Sequence, residues 1–294
     1  MKKPFGQKSC VAIVLMCVLL AFMLCGCSDD DDSEESSSGG KKLEVTFNDT
    51  KLNVFQGYHK VIKQVVKNGT DVVDARRMEY LDENGDLLLG DNGKPIRIKQ
   101  SSEHWKALYV SYFSKEQVID KDQNSGIYEA ASYQILPPPE DGEGVLQNLI
   151  INGKVSSEIT VDDLKKSCLD VTKVQFTSAD TYVELYINGR RISPDDSYYD
   201  DSADEQKVRD ILKLRRDLPS RLSGFLPAYL NMKIAVDYDE NIEEWLNTRD
   251  MKNTLFLVQK IEEAYRNREE SICVVYYSMR NGECSDVTIR VATR

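Results

Sequence analysis

Alternating apolar and polar residues dominate the chain from residue 43 to about residue 192. This region begins with "KLEVTFN", and a side-chain period of two is typical of a β-strand with one buried face. The same pattern predicts strands at residues 105–113 and 127–136. The prolines at 137–139 end the second of these strands, because proline has no N–H to donate to a β-ladder.

Asn-Gly pairs mark where these strands are expected to turn. Asn and Gly both tolerate the positive φ that a type I′ turn requires, so each pair predicts a tight β-hairpin. Residues 78–100 contain two such turns in succession. Hairpins join antiparallel strands, so an antiparallel β-rich region is expected. The sequence has six of these pairs, which begin at Asn68, Asn84, Asn92, Asn152, Asn188 and Asn281.

The pattern changes after a polar break at residues 193–206. Ser202 and Glu205 have the spacing of a capping box, which predicts a helix that ends before Pro219. A clearer helix is predicted from about Thr248 to Asn267, with one apolar stripe at 3–4 spacing. A strand is expected at 232–238, and the Asn281 turn joins the last two strands as a terminal hairpin. The stripe consists of Met251, Leu255, Val258, Ile261 and Tyr265.

These patterns predict an α+β fold. A β-rich antiparallel N-terminal part with many Asn-Gly hairpins precedes an α+β C-terminal part that ends in a β-hairpin. We place the first domain at residues 43–195 and the second at 196–294, and the pattern leaves open whether they are one continuous domain.

The first 26 residues have a different character from the rest of the chain. Three lysines precede an unbroken apolar run of 15 residues at 10–24. A transmembrane helix needs about 20 apolar residues, so this run better fits a signal peptide. The run ends in "LCGC" (residues 24–27), which resembles the lipobox of bacterial lipoproteins, although Cys25 stands where Ala or Ser is usual. The resemblance implies a signal peptide at 1–26 and a lipid on Cys27 that anchors the chain to a membrane. The alternative is an ordinary cleaved secretory signal.

The densest charge in the chain follows that cysteine directly. Its position and sequence resemble the acidic export segment of Bacteroidota surface lipoproteins, and the resemblance implies an outer-membrane protein facing the cell exterior. The alternative is a solvated spacer, since acidic Ser/Gly-rich segments are disordered by composition. In both readings residues 27–42 form an extended acidic tether. The segment consists of Ser28, Asp29, Asp30, Asp31 and Asp32.

Composition argues against several kinds of chemistry. The net charge is −11 and no basic patch with interleaved aromatics is present, so nucleic acid is not an expected partner. The sequence has two histidines, His59 and His104, without a partner at metal-ligand spacing, and no G-x-S-x-G motif. Residues 82–93 partly resemble a calcium loop, but Leu87 and Gly93 stand where Gly and Glu are needed. We therefore expect no catalytic residue, metal ligand or cofactor.

Three further cysteines remain after cleavage. If Asn281 and Gly282 form the turn of the last hairpin, Cys284 faces Met279 and Cys273 faces Arg290, which is too far for a disulfide. Buried free thiols are therefore expected. The cysteines are Cys168, Cys273 and Cys284.

Tyrosine is abundant, with 15 residues, and exposed aromatic rings can stack on sugars. The segment 201–203 resembles the O-glycosylation site of the same bacterial group, which implies a modified Ser202. We expect a non-enzymatic binding or interaction protein for a glycan, a nutrient or a protein partner. The alternatives are a hydrolase with a glycosidase-like carboxylate pair and a fimbrial or adhesin subunit. The candidate stacking residues are Trp105, Tyr109, Tyr112, Tyr198 and Tyr199.

Overall fold

The computed structural model describes residues 42–98, 107–119, 125–135, 149–173, 179–200, 206 and 248–294, all within one compact unit, Gly39–Arg294. It confirms the α+β class with strands dominant. In chain order the elements are β1 (Val45–Phe47), β2 (Thr50–Leu52), α1 (Tyr58–Lys67), β3 (Val72–Asp74), β4 (Glu79–Leu81), β5 (Leu108–Ile119), β6 (Ser125–Ile135), β7 (Leu149–Ile151), β8 (Lys154–Val155), α2 (Val161–Ser167), β9 (Leu169–Lys173), β10 (Ala179–Ile187), β11 (Arg190–Ile192), α3 (Asp196–Asp200), α4 (Arg249–Arg266), β12 (Ser271–Arg280) and β13 (Glu283–Thr293).

The described strands form two sheets. The small sheet is antiparallel, with the order β2-β1-β7-β8. The large sheet has nine of the described strands in the order β11-β10-β12-β13-β6-β5-β3-β4, with β9 pairing β10. Among the described pairs β3 and β5 alone run parallel, which departs from the antiparallel expectation. Strands from both sides of residue 195 share the large sheet, so this residue is not a boundary between sheets.

The large sheet is covered on both faces. Along β12, Cys273, Val275 and Tyr277 lie in one core cluster with Phe47 and Leu149 of the small sheet. The intervening residues Ile272, Val274 and Tyr276 lie in a second cluster with helix α4. This alternation is the period of two that a strand buried on both faces requires. No helix in the described ranges is both long enough and apolar enough to cross a membrane.

Helix α4 confirms the clearest helix prediction. The Thr248 side chain accepts a hydrogen bond from the Met251 backbone N–H, and this N-cap starts the helix at Arg249. The helix ends at Arg266, one residue before the predicted end. Leu255, Ile261 and the rest of the apolar stripe pack against the large sheet. The capping box at 202–205 and the strand at 232–238 lie outside the described residues.

Helix α1 was not predicted from the sequence. Its buried residues have the i, i+3, i+4, i+7 spacing of one helical face. The pair Asn68-Gly69 ends this helix, so the hairpin predicted there is wrong. Gly69 has a φ of 81° and donates its N–H to the Val66 carbonyl at 2.9 Å, an arrangement typical of a helix C-terminus. The buried residues are Tyr58, Val61, Ile62 and Val65.

Type I′ turns are confirmed at the last three Asn-Gly pairs. Asn152, Asn188 and Asn281 have φ values of 52°, 51° and 56°, and the glycine after each is also positive. The strand registers leave only these two residues in each loop. Asn-Gly pairs therefore fix the register of β7-β8, β10-β11 and β12-β13.

In the terminal hairpin, two of the predicted residue pairings are observed and one is not. Arg280 pairs with Glu283 and Met279 with Cys284, as predicted. A β-bulge between Ser278 and Met279 then shifts the register, so Cys273 pairs with Val291 and the predicted pairing with Arg290 is wrong. Cys168, Cys273 and Cys284 are free thiols, and burial raises the pKa of each.

Residues 79–97 contain the two successive turns predicted at 78–100, arranged as an eight-residue repeat. Asp82 donates its backbone N–H to the Asp86 carbonyl at 2.8 Å, and eight residues later Gly90 donates to Lys94 at 2.9 Å. Each loop has three residues and ends in a glycine of positive φ, so these turns are not type I′.

Three backbone hydrogen bonds join equivalent positions of the repeat in a ring. Leu88 donates to Tyr80 at 2.9 Å, Ile96 donates to Leu88 at 2.9 Å, and Tyr80 donates to Ile96 at 3.0 Å. We call residues 79–97 the β-triangle. It carries the exposed large hydrophobic residues of the described chain, Leu88, Leu89 and Ile96.

Candidate functional site

A cleft of about 540 Å³ lies between helix α1 and the β-triangle. Its wall combines aromatic rings, charged side chains and leucines, and the loop glycine Gly85 completes it. Residues far apart in the sequence meet here because α1, β3, β5 and the β-triangle converge. The rings belong to Tyr58, His59 and Tyr112, the charges to Asp74, Arg76, Arg77 and Asp86, and the leucines are Leu81, Leu87 and Leu89. We call this the Tyr112 cleft.

The aromatic side of the Tyr112 cleft is a cluster of three rings. Tyr58 and Tyr112 stack with their centroids 4.5 Å apart and their planes at 30°. His59 packs edge-on against Tyr58 at 5.2 Å and lies 5.8 Å from Tyr112. Tyr58 is 6% exposed, whereas Tyr112 is half-buried and His59 is exposed. Tyr58 therefore supports the ring that Tyr112 presents to the cleft.

The orientation of His59 is fixed by the β-triangle. Its Nδ1 lies 2.9 Å from the Asn84 carbonyl oxygen. A carbonyl only accepts, so Nδ1 carries the proton and Nε2 is the acceptor of the neutral ring. A Cβ on Gly85 would lie 3.0 Å from Nδ1, and Gly85 also has a φ of 84°, so glycine is favoured there on two grounds.

The charged side of the cleft is shaped by Asp74. Its Oδ1 accepts the backbone N–H of Arg76 at 2.8 Å and that of Arg77 at 3.3 Å, which holds both arginines at the cleft. Burial raises the pKa of the Tyr58 phenol, and the nearby Asp74 carboxylate raises it further. Tyr58 is therefore a neutral hydroxyl at physiological pH.

Asp82 organises the first turn of the β-triangle through its side chain. Asp82 Oδ1 accepts the backbone N–H of Asn84 at 2.8 Å and that of Asp86 at 3.0 Å. The Asp86 backbone hydrogen bond is the main cause of the lowered pKa of Asp82. Within the described part of the chain, no group of three or more His, Cys, Asp or Glu residues is placed to hold a metal.

The candidate stacking residues do not form one platform. Tyr112 lines the cleft, whereas Tyr109 is 2% exposed and packs with Val73 and Ile98 on the opposite face of β5. Tyr198 and Tyr199 lie on α3 and pack against α4, with Tyr198 5.3 Å from the Phe256 ring. Trp105, Cys27, Ser28–Asp32 and Ser202 lie outside the described residues.

Most residues of the Tyr112 cleft were not predicted from the sequence. Tyr58, Asp74, Arg76 and Arg77 were not proposed as binding residues, and His59 was noted only for lacking a ligand-spaced partner. The available signal was the helical spacing of Tyr58 with Val61, which would have placed Tyr58 and its neighbour His59 on a helix.

A second polar group lies inside the fold, around Glu184 on β10. The Glu184 side chain is 4% exposed, and its Oε2 accepts hydrogen bonds from the hydroxyls of Tyr186 at 2.8 Å and Tyr277 at 2.9 Å. Asn152, in the turn of the small sheet, donates to the Tyr186 hydroxyl at 2.7 Å. Arg191 Nη1 lies 3.6 Å from Oε1. The group joins the two sheets through polar contacts.

Comparisons with known proteins returned no match to a family model, a curated protein or a solved structure. What the Tyr112 cleft binds is therefore inferred from its own geometry and chemistry.

Proposed function

We propose that this chain is a lipid-anchored outer-membrane protein that faces the cell exterior and binds a glycan in the Tyr112 cleft. The lipobox-like residues 24–27 and the acidic segment Ser28–Asp32 support the location. The observation that carries the binding proposal is the stacked pair of Tyr58 and Tyr112 beside charged side chains. A sugar ring has an apolar C–H face and a rim of hydroxyls, and this wall offers a partner to each.

The cleft supplies the contacts that a sugar needs. Tyr112 presents an aromatic surface for the C–H face of a pyranose. The guanidinium groups of Arg76 and Arg77 donate hydrogen bonds to hydroxyl oxygens, and the carboxylate of Asp86 and Nε2 of His59 accept hydrogen bonds from them. The volume of about 540 Å³ falls in the usual range for ligand sites, about 300–1,000 Å³.

Replacing Tyr112 by alanine is expected to weaken glycan binding by about tenfold, because a lost aromatic contact costs about 0.5–1.5 kcal/mol beyond its buried area and each tenfold corresponds to about 1.4 kcal/mol. The lipidated protein in detergent would be screened against a polysaccharide array, and the best ligand titrated by calorimetry. Tyr112→Phe retains the ring and is expected to retain most of the affinity.

Tyr199→Ala is the matched control, because Tyr199 is another half-buried tyrosine but lies on α3, outside the lining of the cleft. Equal losses in Tyr112→Ala and Tyr199→Ala would contradict the proposed site. Release of new reducing ends from the bound polysaccharide would instead identify a hydrolase.

The surface location has its own test in the acidic segment. Replacing Asp29, Asp30, Asp31 and Asp32 by alanine is expected to reduce cleavage of the protein by protease added to whole cells, because the export signal is removed while the lipid anchor remains. Glu34→Ala with Glu35→Ala is the matched control, since these acids occupy the same tether outside the segment. Unchanged protease sensitivity after the aspartate replacements would refute surface export through this signal.

A further inference from the structure

A second cavity, of about 220 Å³, lies beside helix α2 and next to Glu184. We call it the Glu184 cavity. It is formed by α2, the turn between β7 and β8, and strands β10 to β12. Its volume of about 220 Å³ is large enough for one small organic molecule. None of its lining residues lines the Tyr112 cleft, so the inference below does not depend on the glycan proposal.

Two charged side chains at the cavity, Lys154 and Asp163, neutralise each other in an ion pair. Thr160 and Asp163 form the capping box that starts α2, with Asp163 Oδ2 accepting the Thr160 backbone N–H at 3.2 Å. Asp163 Oδ1 accepts from Lys154 Nζ at 2.5 Å. The Lys154 hydrogen bond is the main cause of the lowered pKa of Asp163, so the carboxyl stays ionised and paired. These two side chains form part of the wall.

Glu184 and Arg191 are arranged differently. The hydroxyls of Tyr186 and Tyr277 donate to Oε2, whereas Oε1 forms an ion pair with Arg191 Nη1 at 3.6 Å, a separation longer than a hydrogen bond. Both side chains line the cavity. Lys166 of α2, which is exposed, adds a second cation to the wall of the cavity. The cavity therefore offers an acceptor at Oε1 and donors at Arg191 and Lys166.

The remaining wall is apolar. Ile151, Ile159 and Leu164 are buried and line the cavity between the small sheet and α2. A ligand that fills the cavity must therefore place an apolar group against these side chains while it satisfies charges of both signs.

We infer that the Glu184 cavity binds a small zwitterion with an apolar side chain, the class to which free aliphatic α-amino acids belong. The ligand's ammonium donates to Glu184 Oε1, and its carboxylate accepts from Arg191 and Lys166. Its side chain packs on Ile151, Ile159 and Leu164. A ligand with only an ammonium would separate Glu184 from Arg191 and leave Arg191 without a new partner. A ligand with only a carboxylate would do the same to Glu184. Both are therefore disfavoured.

The charge requirement is tested with three probes of nearly the same shape. Calorimetry on the lipidated protein in detergent would compare L-leucine, 4-methylpentanoate, which lacks the ammonium, and 3-methylbutylamine, which lacks the carboxylate. Leucine is expected to bind at least about tenfold more tightly than either analogue. Failure of leucine to bind, or equal binding of the three probes, would overturn the inference.

The location is tested on adjacent lysines of α2. Lys166→Ala is expected to weaken leucine binding by about three- to tenfold, through loss of a charged contact to the carboxylate, and to leave binding of the amine unchanged. Lys165→Ala is the matched control, because Lys165 is exposed on the same helix and does not line the cavity. Both are surface changes that leave the buried Glu184 group intact. Equal effects of the two substitutions on leucine binding would place the ligand elsewhere and overturn the inference.

Discussion

Glu184→Ala is expected to lower the free energy of unfolding by about 3–5 kcal/mol, the usual cost of breaking a buried charge pair from one side. Glu184 is 4% exposed and accepts hydrogen bonds from Tyr186 and Tyr277. Its removal leaves those hydroxyls short of an acceptor and leaves the Arg191 charge without its partner. Urea unfolding of the full chain, followed by circular dichroism, measures the change.

Glu44→Ala is the matched control for that experiment. Glu44 also pairs with a cation, Lys51, at 3.2 Å, but both side chains are more than half exposed. Exposed pairs contribute about 0–1 kcal/mol, so the free energy of unfolding should hardly change. A similar small loss for Glu184→Ala would contradict a structural role of the buried group.

Cys27→Ala is expected to abolish incorporation of labelled palmitate and to release the protein from the membrane fraction. If Cys27 carries the lipid, alanine offers no thiol to acylate, and about 0.8 kcal/mol of anchoring is lost for each buried CH₂. Labelling in growing cells followed by membrane fractionation would measure both effects.

Cys25→Ala is the matched control, because Cys25 precedes the proposed acceptor by two residues and would be removed with the signal peptide. It is expected to keep full labelling, since alanine is a usual residue at that position of the lipobox. Undiminished palmitate on Cys27→Ala would reject the lipobox assignment.

Local signals predicted the parts of the fold that depend on local geometry. Asn152, Asn188 and Asn281 set tight turns because the φ that they need is a property of the Asn-Gly pair itself. Helix α4 was predicted to within a residue because it has an N-cap at Thr248 and a continuous apolar stripe.

Helix α1 was missed for a physical reason. Its apolar face contains Val61, Ile62 and Val65, and β-branched residues favour strands, so the alternating interpretation was extended through them. The parallel pairing of β3 with β5 joins distant segments and has no local sequence signal. The bulge near Ser278 changes a register that the turn alone could not specify.

The candidate cleft was predictable only in part for the same reason. Tyr112 was proposed as a stacking residue, but the sequence gives equal weight to Tyr109, which points to the opposite face of the same strand. Choosing between them requires knowing which face of β5 meets α1. That contact depends on tertiary packing of Tyr58 against Tyr112, which no periodicity encodes.

The β-triangle has a consequence for how the large sheet ends. Among the described strands, β4 is the last on its side of the sheet, a place where open N–H and C=O groups can template pairing with another chain. At Tyr80 both groups are already used, the N–H by Ile96 and the C=O by Leu88 of the same chain. The chain that follows β4 therefore folds back and hydrogen-bonds to the open edge of β4. This pairing guards against edge-to-edge aggregation even though Leu88 and Ile96 are exposed beside it.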